Sequence, residues 1–352
     1  MKEKILAHFA EQAAFSTMFG SPFTGQLIER MGKDVEDGGP IAGLLRDWPT
    51  NPRADALSLR LTGALHFAAL SGRDAQLAAL YPPANANWSM DETWPVARAF
   101  LERHPGWVAD FIKSAPQTNE TRRSIAILAA FQAFARNYDG PIDMLELGAS
   151  AGLNTNWNRF HYRTATWEWG DPASAVLVDT DWHGAAPPLG ALNIRDVAAC
   201  DLNPLDIADA AQRLQLRSYV WPDQPERLAR FDGAVSLALT GGRKVERADA
   251  AEWLQRKLPA RARDAATVIY HSIFLQYPPR ETRDAIAEAI RSAGANATAE
   301  APVAWIRVEP EALTDNVRDG IRVVIDLTTW PGGQRRIVGY TDGHLRSVYA
   351  AD

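Results

Sequence analysis

The strongest chemical signal in the chain is a run of acidic, small and glycine residues at positions 143–154, which reads DMLELGASAGLN. An apolar run leads directly into this turn, and the pattern predicts that a helix begins near Leu153. Glycine lets the backbone adopt positive φ angles and lets a ligand approach closely, and the start of a helix directs free amide groups at it. The residues that this pattern places around a small ligand are Glu146, Gly148, Ser150, Gly152 and Asn154.

The order E-x-G-x-S-x-G resembles motif I of the Rossmann-like S-adenosylmethionine-dependent methyltransferases, which is usually E/D-x-G-x-G-x-G. Ser150 replaces the middle glycine, which narrows the space beside the methionine part of the ligand but also offers a hydroxyl to its carboxylate. The segments GASAGLN, NRFHYR, DLNPLD and WPDQPER are similar to a bacterial family catalogued as a domain of unknown function. The superfamily resemblance implies S-adenosylmethionine as the cofactor. A tight turn without any ligand is the alternative.

A second acid is expected at the end of the next strand of the sheet, where the resemblance implies that it binds both ribose hydroxyls. Glu168 and Asp201 are the two candidates. Asp201 is preferred, because a short apolar strand precedes it and Asp-Leu-Asn-Pro turns the chain. Residues 161–190 then become an inserted hairpin. Capping of the following helix by Asp201 is the alternative.

The third element is the pair Asp249-Ala250, at the end of a short strand and the start of a helix. The resemblance implies that the Asp249 carboxylate and the next backbone amide bind adenine. Helix capping explains an Asp at this position equally well.

On the acceptor side, the strand at 267–273 is expected to end beside the transferring methyl group. His271 is the candidate general base, because an unperturbed imidazole titrates near neutral pH. The rival explanation is a buried histidine that is hydrogen-bonded for structural reasons. The further candidates for lining the pocket are Tyr277, Glu309, Arg159 and Tyr162.

The elements around these residues change character near residue 140. Residues 1–139 show helical periodicity and predict an all-helical N-terminal domain, whereas residues 140–352 alternate short apolar strands with helices. That alternation predicts an α/β fold with a mostly parallel, Rossmann-like sheet. The strands are expected at 142–147, 175–178, 194–199, 234–239, 267–273, 303–308, 321–329 and 336–340. The last two predict an antiparallel hairpin, with 336–340 beside 303–308 and 321–329 at the edge.

Composition limits the function further. The 352 residues include one Cys and carry a formal charge of −6, which argues against a protein that coats nucleic acid or an anionic membrane. The histidines show no metal-ligand spacing, so no metal site is predicted, and Cys200 is expected to be a core residue. The N-terminus lacks a signal-peptide pattern and no segment is long enough to span a bilayer, so a cytoplasmic protein is expected.

These observations predict methyl transfer to a small-molecule acceptor, with no nucleic-acid or membrane partner. A degenerate methyltransferase fold that binds S-adenosylmethionine or a related nucleotide, as a sensor or partner subunit, is the second hypothesis. Ser150 and the absence of a strong catalytic motif after the fourth strand keep that hypothesis open. A nicotinamide-dependent dehydrogenase is disfavoured by the missing G-x-G-x-x-G and by the C-terminal hairpin. The acceptor and the oligomeric state do not follow from the sequence.

Overall fold

The computed structural model describes residues 1–117, 119–314, 322–343 and 345–351. Seven helices precede the first strand of the sheet within the first 117 residues, and the rest alternate with strands. The α-helices are α1 Lys2–Met18, α2 Pro22–Glu36, α3 Pro40–Leu45, α4 Leu57–Leu70, α5 Ala75–Leu80, α6 Met90–Arg103, α7 Pro105–Phe111, α8 Ser124–Ala135, α9 Ala210–Ser218, α10 Pro225–Gly241, α11 Ala250–Lys257, α12 Arg280–Ala295 and α13 Glu311–Thr314. Two 3₁₀ helices are η1 Thr121–Arg123 and η2 Leu153–Arg159.

The strands form a nine-stranded, mostly parallel sheet and a separate three-stranded sheet. They are β1 Ile142–Leu147, β2 His161–Arg163, β3 Glu168–Trp169, β4 Leu177–Asp179, β5 Asp181–His183, β6 Ile194–Asp201, β7 Glu246–Arg247, β8 Ala266–Ser272, β9 Val303–Pro310, β10 Val323–Trp330, β11 Gln334–Thr341 and β12 Ser347–Ala350. The large sheet has the order β5-β12-β11-β10-β9-β8-β1-β6-β7. The predicted α/β class with a mostly parallel sheet is confirmed.

Side chains divide the large sheet into two faces because successive residues of a strand point in opposite directions. Leu145, Leu147 and Ile269 pack with α11 and α12 on one face. On the other face Tyr270 contacts Phe131 of α8, with ring centroids 5.6 Å apart. Helices therefore cover both faces, as a parallel sheet requires.

The C-terminal hairpin is present, but the predicted order of its strands is wrong. β10 and β11 pair antiparallel, and it is β10 that pairs with β9. β11 lies one position further out and pairs with β12. The first residue of the predicted strand, Ile321, lies outside the described residues.

The strand predicted at 234–239 is also wrong, because these residues belong to α10. The buried residues of this stretch recur at helical spacing, as Phe231, Ala234, Val235 and Ala238 show. A short apolar run rich in Ala and Leu suits a helix as well as a strand.

The segment predicted as an inserted hairpin contains the small sheet. β2 and β3 form an antiparallel pair, and β4 adds to β2 in parallel. β5 instead joins the large sheet at its edge, parallel to β12. The insertion is therefore larger than one hairpin.

Two compact units emerge from the contacts along the chain. The first comprises Met1–Thr118 and Ile207–Ala229, and the second comprises Asn119–Asp206 and Arg230–Asp352. In the first unit α1 and α2 pack against each other around a core that includes Phe9, Phe23 and Phe100. The carboxylate of Asp223 accepts hydrogen bonds from the hydroxyl of Ser21 and from the amide of Phe23, 2.9 Å away. A residue from late in the chain thus binds the first turn of α2.

Candidate functional site

The turn after β1 has the left-handed backbone that its glycines suggested. φ is +66° at Gly148, +54° at Ser150 and +74° at Gly152, and η2 begins at Leu153. A Cβ atom on Gly148 would lie 2.3 Å from ring carbon Cδ2 of Phe274. On Gly152 it would lie 2.8 Å from a methyl carbon of Val245. The two glycines are thus required by backbone conformation and by close neighbours.

This turn lies where the strand order reverses direction. β1 pairs in parallel with β6 on one side and with β8 on the other. The sheet then continues from β6 to β7 on the first side and from β8 to β9 on the second. In open α/β sheets the crevice outside the carboxyl ends of the strands, at such a switch point, is the usual ligand site. The predicted site residues of the turn are therefore at the position where a ligand is expected.

Glu146 is a buried acid, and Tyr270 is its hydrogen-bond partner. The Tyr270 hydroxyl donates to Oε2 of Glu146 over 3.0 Å. The residue Glu146 is only about 4% exposed. Burial raises the pKa of Glu146 to about 8; the Tyr270 hydrogen bond lowers it and the charge of Asp201 raises it further. Neither acid has an ion-pair partner within the part of the chain that the structure describes. The pKa of Glu146 is therefore raised chiefly by burial, with no ion pair among the described residues to offset it.

Asp201 ends β6, next to β1, whereas Glu168 lies in β3 of the small sheet. One carboxylate oxygen of Asp201 accepts the Ser150 amide at 2.8 Å and the other accepts the Asn203 amide at 2.8 Å. The strand placement that favoured Asp201 over Glu168 is thus found in the structure. The role of Asp201 in binding ribose stays a prediction, and its present bonds stabilise the turn.

Asp249 follows the two-residue strand β7 and precedes α11, as predicted. Its carboxylate accepts the amides of Ala251 and Glu252 at 2.9 and 3.2 Å, which is the geometry of an N-cap. Ala250, the first residue of α11, is buried. The capping explanation therefore accounts for Asp249 in this structure, and binding of adenine stays a prediction.

His271 and Glu309 are brought together, but away from Glu146. Nδ1 of His271 lies 2.6 Å from Oε1 of Glu309, and both side chains are fully buried. Trp305 donates its indole N–H to Nε2 of His271 over 3.0 Å. Because indole can only donate, Nε2 carries the lone pair and Nδ1 the proton. His271 and Tyr270 are adjacent in β8, so their side chains point to opposite faces. The ring has no free lone pair here, which favours the structural explanation; the catalytic role stays a prediction.

The other acceptor-side candidates are scattered. Tyr277 is 73% exposed. Arg159 donates to the carbonyl of Leu237 at 3.0 Å. Tyr162 is fully buried and donates to the carbonyl of Trp157 at 2.8 Å, and burial raises its pKa well above the ordinary value. These residues do not form one cluster with His271.

Residues 119–123 also lie at this end of the sheet, and sequence reasoning missed them. Asn119 accepts the Leu153 amide at 3.2 Å, and Asn154 donates to the carbonyl of Glu120 at 3.3 Å. At the other end of the segment Arg123 donates to the carbonyl of Ser272, the last residue of β8, at 3.5 Å. The segment therefore bonds both to the turn after β1 and to the end of β8, on the two sides of the switch point. The signal in the sequence is a dense polar run, NETRR, directly before the wholly apolar helix α8.

A groove with a volume of about 460 Å³ lies between α11 and α12, away from the turn after β1. Arg261, one of its polar lining residues, already donates to the carbonyls of Ala301 and Asn296. None of the predicted site residues lines this groove. The turn after β1, where predicted ligand-binding residues do lie, is therefore the candidate site.

No group of three or more His, Cys, Asp and Glu side chains is arranged to hold a metal ion in the described ranges. Cys200 is buried in β6, and burial raises the pKa of its thiol to about 12. None of the helices in that same part of the chain combines the length and apolar character needed to cross a membrane.

A family model described as an uncharacterized protein conserved in bacteria (DUF2332) matches residues 6–349. Searches of curated proteins and of solved structures found no match. Because the match covers nearly the whole chain, both the turn after β1 and the preceding polar run fall inside it, and the chain belongs to this bacterial family, DUF2332.

Proposed function

We propose that the protein is an S-adenosylmethionine-dependent methyltransferase with a small-molecule acceptor and a Rossmann-like catalytic fold. The observation that carries the proposal is the E-x-G-x-S-x-G turn, with left-handed residues, at the switch point of a sheet whose central order is β7-β6-β1-β8-β9. In chain order these are strands three, two, one, four and five, the arrangement of dinucleotide-type folds.

The side chains present fit this cofactor in charge. S-adenosylmethionine carries a positive sulfonium, from which the methyl group would be supplied. Asp201 would supply a carboxylate near the turn, and Glu146 would become a second one when the bound cation favours its ionised form. Asp201 would hold the ribose and the Asp249-Ala250 corner the adenine.

A second function, binding without catalysis, is favoured by a specific set of observations. His271, the predicted general base, is held between Glu309 and Trp305, and Tyr277 is 73% exposed. No free general base has been identified among the predicted acceptor-side residues. These facts support a degenerate module that binds S-adenosylmethionine or a related nucleotide as a sensor or partner subunit.

Calorimetry with S-adenosylmethionine and S-adenosylhomocysteine tests binding. We expect the wild-type protein to bind both and Gly152→Val to bind neither, because the new side chain meets Val245 and φ there is +74°. Gly72→Val is the matched control, since Gly72 has φ +69° and open space around it. A folded wild-type protein that gives no heat with either ligand would remove the proposal.

The choice of the ribose acid is tested by two further variants. Asp201→Ala should weaken S-adenosylhomocysteine binding by about 1.5–3 kcal/mol, the usual contribution of hydrogen bonds to a charged group, and Glu168→Ala should have little effect. The reverse pattern would transfer the ribose role to Glu168. Transfer of labelled methyl groups from S-adenosylmethionine to a metabolite extract then separates the enzyme from the non-catalytic binder.

A further inference from the structure

Two asparagines beside the turn, Asn154 buried and Asn119 partly buried, each use only half of their amide group. Oδ1 of Asn119 accepts the Leu153 amide, and Nδ2 of Asn154 donates to the Glu120 carbonyl. These partners fix both amide orientations, because a backbone N–H can only donate and a carbonyl can only accept. The remaining atoms, Nδ2 of Asn119 and Oδ1 of Asn154, are buried and have no hydrogen-bond partner. Asn154 is itself only 5% exposed.

Arg122 carries a positive charge in the same segment of chain as Asn119. Arg122 belongs to η1, which packs against η2, where Asn154 lies. Its Nε is buried without a hydrogen-bond partner, and Arg122 forms no ion pair within the described ranges. Arginine stays charged at any physiological pH, so an unpaired guanidinium that is partly buried is costly.

The three unpartnered groups determine which donors and acceptors a ligand at this place must offer. Nδ2 of Asn119 and the Arg122 guanidinium are donors and call for an anionic acceptor, whereas Oδ1 of Asn154 is an acceptor and calls for a donor. A phosphate or a simple carboxylate would leave Asn154 facing oxygen, and a neutral sugar would leave Arg122 without a counter-charge. A carboxylate with a neighbouring ammonium group has both features.

We propose that Asn119, Arg122 and Asn154 bind the α-amino-acid group of a ligand, with Asn119 and Arg122 on its carboxylate and Asn154 on its ammonium. The location of that ligand at the turn rests on the proposed function, whereas the chemistry of the group rests on the unpartnered atoms. The group could belong to the amino-acid end of an S-adenosyl ligand or to an amino-acid acceptor, and the experiment separates these two sources.

Asn119→Asp is the sharpest variant. It keeps an oxygen for the Leu153 amide and replaces the unpartnered donor with an anionic oxygen that repels a carboxylate. Arg122→Gln removes the positive charge and is the second variant, should the first fail to fold. Arg136→Gln is the matched control, because Arg136 is the exposed residue just after α8, whereas Arg122 lies in η1, which precedes α8.

The measurement is calorimetry with S-adenosylhomocysteine and with 5′-methylthioadenosine, which lacks the amino-acid group. If the group belongs to the S-adenosyl ligand, wild type and Arg136→Gln should bind S-adenosylhomocysteine about tenfold or more tightly than 5′-methylthioadenosine. Asn119→Asp and Arg122→Gln should lose that preference while their affinity for 5′-methylthioadenosine is unchanged. If the group belongs to an acceptor, the two nucleosides should bind wild type equally. L-methionine or glycine should then bind protein saturated with 5′-methylthioadenosine, and Asn119→Asp should abolish this binding.

The remaining outcomes distinguish this inference from the proposed function. Equal binding of both nucleosides by every variant, with no binding of either amino acid, overturns the amino-acid site and leaves the proposed function standing. Binding of L-methionine by wild type but not by Asn119→Asp, with neither nucleoside bound, supports the amino-acid site and removes the proposed function. If wild type binds none of these probes, both proposals fail.

Discussion

At the scale of single residues, Glu146 shows how burial sets the chemistry of the turn. A carboxyl group with pKa about 8 is largely protonated at neutral pH, so it does not repel Asp201 in the ligand-free protein. A cation bound near it would favour the ionised form and release a proton.

The raised pKa predicts a dependence of stability on pH. The native state holds a proton on Glu146 that the unfolded chain, with an ordinary pKa of 4.5, releases, so this stabilisation is complete below about pH 4.5 and is lost as the pH rises through about 8. Glu146→Gln should therefore gain stability relative to wild type between pH 5 and 8 and level off above that range. At about 1.4 kcal/mol per unit of pKa difference, the gain is on the order of a few kcal/mol.

Urea unfolding across this pH range checks the prediction. Tyr270→Phe is the companion variant: it removes the hydrogen bond that lowers the pKa of Glu146, so its loss of stability should extend to higher pH. Parallel stability curves for wild type and Glu146→Gln would show that the carboxyl group titrates normally.

The buried pair of His271 and Glu309 leads to a different prediction. Oε1 and Oε2 of Glu309 also accept the amides of Phe274 and Leu275, so the carboxylate holds the loop after β8 as well as the imidazole. Glu309→Ala should lower the free energy of unfolding by about 3–5 kcal/mol, the cost of breaking a buried pair. Tyr277→Ala, at an exposed position, should change it by less than about 0.5 kcal/mol. If Glu309→Ala unfolds like wild type but loses methyl transfer, the catalytic role is supported instead.

At the scale of elements, the position of β10 follows from a buried charge. Asp326 has no exposed surface and accepts from Arg307 on β9, at 2.9 and 2.8 Å, and from Arg335 on β11, at 2.9 Å. The strand needs a neighbour on each side to pair this carboxylate. In the sequence, the alternation of Val323, Ile325 and Leu327 with the residues between them, Asp326 included, indicated an edge strand half open to water.

Backbone amides of β10 should therefore exchange slowly with deuterium. Both β9 and β11 pair with β10 along its length. The amides of β10 should therefore be protected from exchange as strongly as those of β9. The two-residue β7, at one end of the sheet, is the internal comparison and should exchange faster. Rapid exchange at alternate β10 residues would indicate the edge position that the sequence suggested.

Local patterns predicted much of the fold and only part of the site. β1 was predicted to the residue, since its apolar run and the following glycines lie together in the sequence. The partners of the turn, Asn119, Arg122 and Tyr270, were not, because they come from elements that meet it only in three dimensions. The exchange of β10 and β11 was missed for the same reason: the pairing of Asp326 is not visible along one strand.

At the scale of the whole molecule, the first unit draws residues from two parts of the chain. His66 of α4 lies 3.0 Å through Nδ1 from the carbonyl of Ser218, and burial lowers its pKa to about 4, so it stays neutral at physiological pH. Asp223 binds the start of α2 in the same way. The helices of the first 117 residues thus depend on the return of residues 207–229.

Asp223→Ala tests this dependence. It removes the acceptor for the Phe23 amide and for the hydroxyl of Ser21, a residue that has no exposed surface. The expected loss is about 0.5–2 kcal/mol, as for removal of a helix cap. Asp47→Ala, at an exposed site of the same unit, is the control, and thermal unfolding of both is the measurement. Equal melting temperatures would show that α2 does not need Asp223.

The pairing of β5 with β12 also has a consequence for synthesis of the protein on the ribosome. Asp181–His183 reaches the exit tunnel about 160 residues before its partner Ser347–Ala350. At roughly 5–20 residues per second, that separation corresponds to an interval of ~10–30 s. During this time the strand is an open hydrogen-bonding edge on a nascent chain, available to neighbouring chains on the same messenger. The rate of translation between these two strands therefore controls how long the nascent protein is exposed to misassembly.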